Sequence, residues 1–146
     1  MRPNAFPRSR RLKRRRLLRP LFDRARADVG RVRAGTVVVL FRAVERGETG
    51  EDTPLQVCFA PGRAARGAVR VRVRRLMREA FRLHQHALLD AFAGRADCLT
   101  LVVLFRGPVA TASRDVPRDL PEALRRLVGR TVPPPVGARN DGPVGA

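Results

Sequence analysis

Apolar residues return at helical spacing at Leu17, Leu18, Leu21, Phe22 and Ala25, which predicts a first helix over about 15–27. Pro20 falls inside it, so the helix either starts near that residue or kinks there. Thr36–Val44 is a continuous β-branched and apolar run, the pattern of a strand covered on both faces. Glu45–Pro54 is acidic and glycine-containing and reads as an exposed turn. In Leu55–Ala60, Leu55, Val57 and Phe59 alternate with Gln56 and Cys58, predicting a second strand, and Pro61-Gly62 opens a loop. A long helix is predicted from about Ala68 to Ala93. Val69, Val73, Leu76, Met77, Ala80, Phe81, His84, Ala87, Leu88, Ala91 and Phe92 form one stripe, and Gly94 is its stop. Asp97–Arg106 is a third clear strand. A last helix starts near Asp119 as cap, with Pro121 in the first turn and Glu122 at the capping-box position, and ends at Gly129. This alternation predicts one α+β or α/β sandwich.

The ends break the pattern. Residues 1–10 hold two prolines and no period and read as a flexible basic arm. Residues 130–146 are Pro/Gly-rich and read as a disordered tail. The domain is expected over residues 11–129, and 146 residues suit a single core. No apolar run approaches the roughly 18 residues of a membrane span, and no signal-peptide stretch follows the basic start, so the expected compartment is the cytoplasm.

Charge changes the picture most. There are 31 Lys+Arg against 13 Asp+Glu, a formal net charge of +18, and every basic residue except Lys13 is arginine. That balance points to a polyanionic partner, with nucleic acid the usual one. Catalytic chemistry, by contrast, is sparse. Cys58 and Cys98 have no CxxC partner, so no zinc site is expected. His84 falls in the apolar stripe and reads as a core residue, not a metal ligand, and no nucleophile, general base or paired carboxylates stand out. A self-sufficient nuclease would need such a metal-binding cluster.

The informative segment is Arg63–Arg82, with eight arginines and one acid, Glu79. Arg70, Arg74, Arg78 and Arg82 are spaced by four and climb one side of the long helix. Arg75 lies beside them and Arg72 further round. Like charges at this spacing cost a few tenths of a kcal/mol each, which a merely solvated face has no reason to bear. Guanidinium groups bind phosphate oxygens in a fork and stay charged.

The run from Arg70 to Arg82, RVRVRRLMREAFR, resembles the signature helix of the bacterial ribonuclease P protein subunit. Arg11-Leu12-Lys13-Arg14 with Leu17-Leu18 and Leu21-Phe22 resembles that family's basic opening and first helix. Val38–Phe41 and Leu99–Phe105 resemble two of its strands. Four departures stand out, one of them Pro20 within the first helix. Val71 replaces the Asn of the family's Arg-Asn-Arg. The loop before the helix reads Gly62-Arg63-Ala64-Ala65-Arg66-Gly67, one residue shorter. Leu18 stands where an aromatic is common.

The resemblance implies a single-domain α+β sandwich of αβββαβα order with a left-handed βαβ crossover, against the general right-handed preference. The third early strand would then be the stretch around Pro61–Ala64. It implies a subunit that assists a catalytic RNA in removing the 5′ leader of precursor tRNA. Both RNAs would be its partners, Mg²⁺ would be held by the RNA, and neither a catalytic residue in this chain nor a protein partner is required. Arg70, Arg72, Arg74, Arg75 and Arg78 would face the RNA subunit, with Arg63 and Arg66 in support. Leu18, Phe22 and Phe41 would line a cleft for the leader. The rival reading is a structural RNA-binding protein of ribosomal type, which shares the charge but not the signature helix.

Overall fold

The computed structural model describes residues 7–63 and 65–131. Its architecture follows from period-two alternation. In Val37–Glu45 (β2), Val37, Val39 and Phe41 enter one buried cluster while Val38, Leu40 and Val44 enter another. Asp97–Phe105 (β4) divides likewise, with Leu99, Leu101, Val103 and Phe105 on the first side and Cys98 and Val102 on the second. With Gly30–Ala34 (β1) and Leu55–Ala60 (β3), the sheet order is β1-β2-β4-β3. β2 is antiparallel to both β1 and β4, and β3 runs parallel to β4.

A sheet with two apolar faces needs two covers. One is built by Gly67–His84 (α3), His86–Ala93 (α4) and Ala112–Thr131 (α5), whose buried apolar residues share the first cluster. α3 and α4 are also the crossover that a parallel β3–β4 pair requires. Phe59 of β3 meets Phe81 of α3 edge to face, with ring centres 5.5 Å apart. The other cover is the amino-terminal segment, through Leu12, Leu17 and Leu21. It includes Arg15–Leu18 (α1), which continues as a 3-10 turn over Arg19–Phe22. A four-residue turn, Arg46–Thr49 (α2), links β2 to β3. The result is a single α+β domain, and no helix among the described residues is long and apolar enough to cross a membrane.

Several expectations are corrected. The third early strand is β1, ahead of β2, and Pro61–Arg63 form no strand. The first helix stops at Phe22 rather than about 27, with Pro20 at the step from α to 3-10 geometry. The long helix breaks at Gln85, whose side chain is buried and donates to the Arg82 carbonyl at 3.3 Å. His84 therefore ends α3 and is exposed, not core. The last helix begins at Ala112 and carries both Pro117 and Pro121. Arg8–Arg10, expected in a flexible arm, form a 3-10 turn against β3, where the Gln56 amide donates to the Ser9 carbonyl at 2.8 Å. The Leu12 N–H then donates to the Val57 carbonyl at 3.0 Å, so this segment closes the free edge of β3. α5 runs through Thr131, and the tail beyond it lies outside the described residues, as do residues 1–6.

Asp119 is not a cap. It is buried within α5 and accepts hydrogen bonds from the Thr36 N–H at 2.9 Å and the Thr36 hydroxyl at 2.8 Å. Thr36 and Gly35 make the two-residue turn between β1 and β2. Gly35 has φ 55°, and a Cβ there would lie 2.4 Å from the Asp119 carboxylate. Arg118, followed by Thr36, holds the carboxyl of Asp119 well below the usual carboxylate range. A carboxyl depressed in the folded state stabilises it above its unfolded pKa, and that contribution is lost as pH falls towards the folded pKa. Asp119→Ala is expected to cost about 1–3 kcal/mol at neutral pH. In thermal unfolding the gap to the parent should narrow as pH falls below about 4.

Candidate nucleic-acid interface

Four buried residues, Val73, Met77, Ala80 and Phe81, press α3 onto the sheet. Arg70, Arg74 and Arg78 follow on the flank next to β3, half-buried against the strand edge. Arg70 Nη1 donates to the Gly62 carbonyl at 3.1 Å, and Arg74 Nε reaches the Phe59 carbonyl at 3.5 Å. Gly62 permits this because its φ is 101° and a Cβ would stand 2.7 Å from the Phe105 carbonyl. Arg63, Arg66, Arg72 and Arg75 are exposed, with Arg66 at the start of α3 and Arg72 round the helix from the row.

The electrostatics are one-sided. Arg63, Arg66, Arg70, Arg72, Arg74, Arg75 and Arg78 take part in none of the salt bridges formed among the described residues. Glu79, the one acid of α3, is held by Arg82. The proton affinity of Arg78 is lowered, first by burial and then by the like charges of Arg11, Arg74 and Arg75. Arg11 therefore belongs to this cluster, brought there by the strap along β3. The clue in the sequence was its place in the basic opening stretch.

A cleft of about 570 Å³ adjoins the row at the ends of β3 and β4. Ala60, Leu104 and Phe105 give it apolar walls, Arg63, Arg70 and Arg106 give it charge, and Phe22 stands at its rim. Phe22 is 55 % exposed, so one aromatic ring is open to a stacking partner. Arg106 and Leu104 were not singled out from the sequence, where they read only as the end of a strand. Leu18 is half-buried against the amino-terminal cluster and is not a lining residue. Phe41 is corrected outright. It shares the odd-numbered face of β2 with Val37 and Val39, is 9 % exposed, and lies on the helix side of the sheet, opposite the amino-terminal segment. Arg130 covers its ring at 5.8 Å.

Burial pushes the Cys58 thiol up and that of Cys98 to about 12, so neither is an activated nucleophile. No group of three metal-ligating side chains is found among the described residues.

Fold and site together define a basic α+β domain with an unneutralised arginine helix beside an aromatic-rimmed cleft. The family model described as Ribonuclease P matches residues 6–130, and the chain belongs to the ribonuclease P protein family. Among solved structures, the RNase P protein of Staphylococcus aureus superposes with a TM-score of 0.56 at 15 % identity, over 81 % of this chain and 94 % of that one. That likeness shows the fold. No curated protein matches the chain significantly.

The two phenylalanines should separate in experiment. Phe22→Ala is expected to leave the melting temperature almost unchanged, because the ring is mostly outside the core. Phe41→Ala is expected to cost about 3 kcal/mol, as large-to-small changes in a packed core do. Chemical denaturation of both variants checks this.

Proposed function

We propose that this chain assists a catalytic RNA subunit in the endonucleolytic removal of the 5′ leader from precursor tRNA. The observation that carries the reading is the continuity of seven arginines, none in a salt bridge among the described residues, with a cleft that offers an open phenylalanine ring. The α3 row, with Arg63 and Arg66 in support, faces the RNA subunit and positions it through phosphate contacts. Arg70 sits at the junction and lines the cleft as well. In the cleft a single strand lies with a base against Phe22 and its phosphates towards Arg63, Arg70 and Arg106; stacking of this kind is worth about 1–3 kcal/mol per base. The Mg²⁺ used in the reaction belongs to the RNA. The protein contributes binding and orientation, and it lowers the repulsion between two polyanions.

Reconstitution tests the reading. Rigorously RNA-free protein with precursor tRNA and Mg²⁺ should leave the leader attached. Addition of a bacterial ribonuclease P RNA should give cleavage at the mature 5′ end at near-physiological salt. Cleavage by the protein alone would place the chemistry in this chain. RNA binding without any gain in cleavage would favour the ribosomal-type reading.

The α3 row makes a sharper prediction. Arg70→Ala with Arg74→Ala should weaken binding of the RNA subunit and flatten the log–log salt dependence by about one unit per lost phosphate contact. Arg114→Ala with Arg125→Ala removes equal charge at exposed positions already paired to carboxylates, and should change the slope little. Equal losses from both pairs would mean that only net charge matters. Val71 is 46 % exposed, so Val71→Asn should fold normally and should not weaken binding.

A further inference from the structure

The free edge of β1 carries a second concentration of arginine, across the sheet from the α3 row. β1 pairs with β2 alone. An open strand edge is a template for another strand and is normally blocked. Here α5 blocks it. Arg130 Nη1 donates to the Arg31 carbonyl at 3.1 Å, and Arg126 Nη1 donates to the Arg33 carbonyl. The spacing suits the task, since four residues of helix advance about 6 Å and two residues of strand about 6.8 Å.

Residues two apart on an edge strand turn both their carbonyl and N–H groups the same way. The outward acceptors of Arg31 and Arg33 are thus occupied, and what remains outward is their N–H donors. The side chains of Arg31 and Arg33 are exposed and stand on the face opposite Val32 and Ala34, which are buried under the helices. Arg33 Nε donates to the Gly35 carbonyl at 3.3 Å, and Arg130 is steadied over the Phe41 ring. Arg31, Arg33 and Arg130 are in none of the salt bridges among the described residues. The neighbouring carboxylates are committed elsewhere: Glu122 is shared by Arg125 and Arg126, and Asp28 by Arg26 and Arg42.

A pairing strand needs acceptors as well as donors, and a second copy of this chain would meet like charge. The surface fits a partner that is all acceptor and all negative, which is a phosphodiester backbone. The aromatic ring paired across from β1, Phe41, is buried beneath Arg130 and offers no stacking face, so recognition here is of phosphates and not of bases. We propose that the β1 edge is a second RNA-backbone contact, at which Arg31, Arg33 and Arg130 hold a strand other than the one on α3. β1 and β3 are three strand spacings apart, about 14 Å, so a domain gripped at both edges bridges two RNA segments. The proposal rests on the RNA partnership above but not on the role of α3.

The test uses the full chain with a bacterial ribonuclease P RNA as probe, measuring affinity across a salt series. Arg31→Ala with Arg33→Ala should weaken binding and lower the salt slope by about one to two units. Arg31→Lys with Arg33→Lys should restore most of that slope. The loss should add to that of Arg70→Ala with Arg74→Ala in the fourfold variant, as independent surfaces do. Both side chains are exposed, and unchanged melting would confirm the fold. A slope equal to the parent's, or a loss no larger than that of the Arg114/Arg125 control, overturns the proposal. Failure of the α3 reading shows separately, as full affinity in the Arg70/Arg74 variant. Absence of binding by the parent chain overturns both.

Discussion

Val37, Val38 and Val39 of β2 and Leu101, Val102 and Val103 of β4 are all fully buried, although successive residues on each strand point to opposite faces. The rest of the domain answers to that fact. Two apolar faces must both be covered, so the amino-terminal segment is needed as a cover and its leucines are not free to leave. The three larger helices take the other face. With both faces largely consumed, most charged side chains stand at the sheet's edges, on the outer sides of helices and in the connecting segments. The arginine excess lies outside the two buried clusters.

The acids are distributed as unevenly as the bases. Asp28, Asp52, Glu79, Asp97, Asp115, Asp119 and Glu122 each hold an arginine, and none of these arginines belongs to the row that ends at Arg78. The chain therefore separates arginines that build the fold from arginines left without a counter-charge. Arg118 bridges Asp115 and Asp119 on α5, and Arg46 donates to the Phe92 carbonyl at 2.8 Å at the end of α4. Within the unpaired set like charges face one another: burial first, and then Arg11, Arg74 and Arg75, lower the proton affinity of Arg78. A polyanion relieves that repulsion, so the surface is more comfortable bound than free.

The sequence made the interior legible and the edges much less so. β2, β3 and β4 announce themselves by apolar runs, and the α3 stripe by its period. β1 does not, because Gly30–Ala34 offers only two buried side chains among arginines and small residues. The break at Gln85 depends on a polar side chain buried by tertiary contacts, one of them with Arg10, which local pattern cannot reveal. Pro121 reads as the first-turn proline of a helix that starts near Asp119, yet α5 begins at Ala112 and carries both it and Pro117 at partly or fully exposed positions while Val116, Leu120 and Leu124 pack beneath. In the site, spacing by four located the α3 row, and resemblance located Phe22. Resemblance names the position of Phe41 but not the face it takes; the period of two along β2 decides that, and puts the ring on the helix side. The same holds for Leu18, which packs half-buried against the amino-terminal cluster.

The strap along β3 bears on the order in which the molecule can form. Leu12 precedes every strand of the sheet in the chain, but the buried cluster it joins includes Val102 of β4, 90 residues later. The β1–β2 hairpin can close locally. β2 cannot acquire β4, nor β3 its parallel neighbour, until the whole of α3 and α4 has been made. Until β4 is made the sheet lacks the pairings that join β2 to β3, and long-range pairings of this kind are slow to form. β4 completes the surface that the amino-terminal segment covers, because Cys98 and Val102 join Val38, Leu40 and Val44 of β2 in one cluster with Leu12, Leu17 and Leu21.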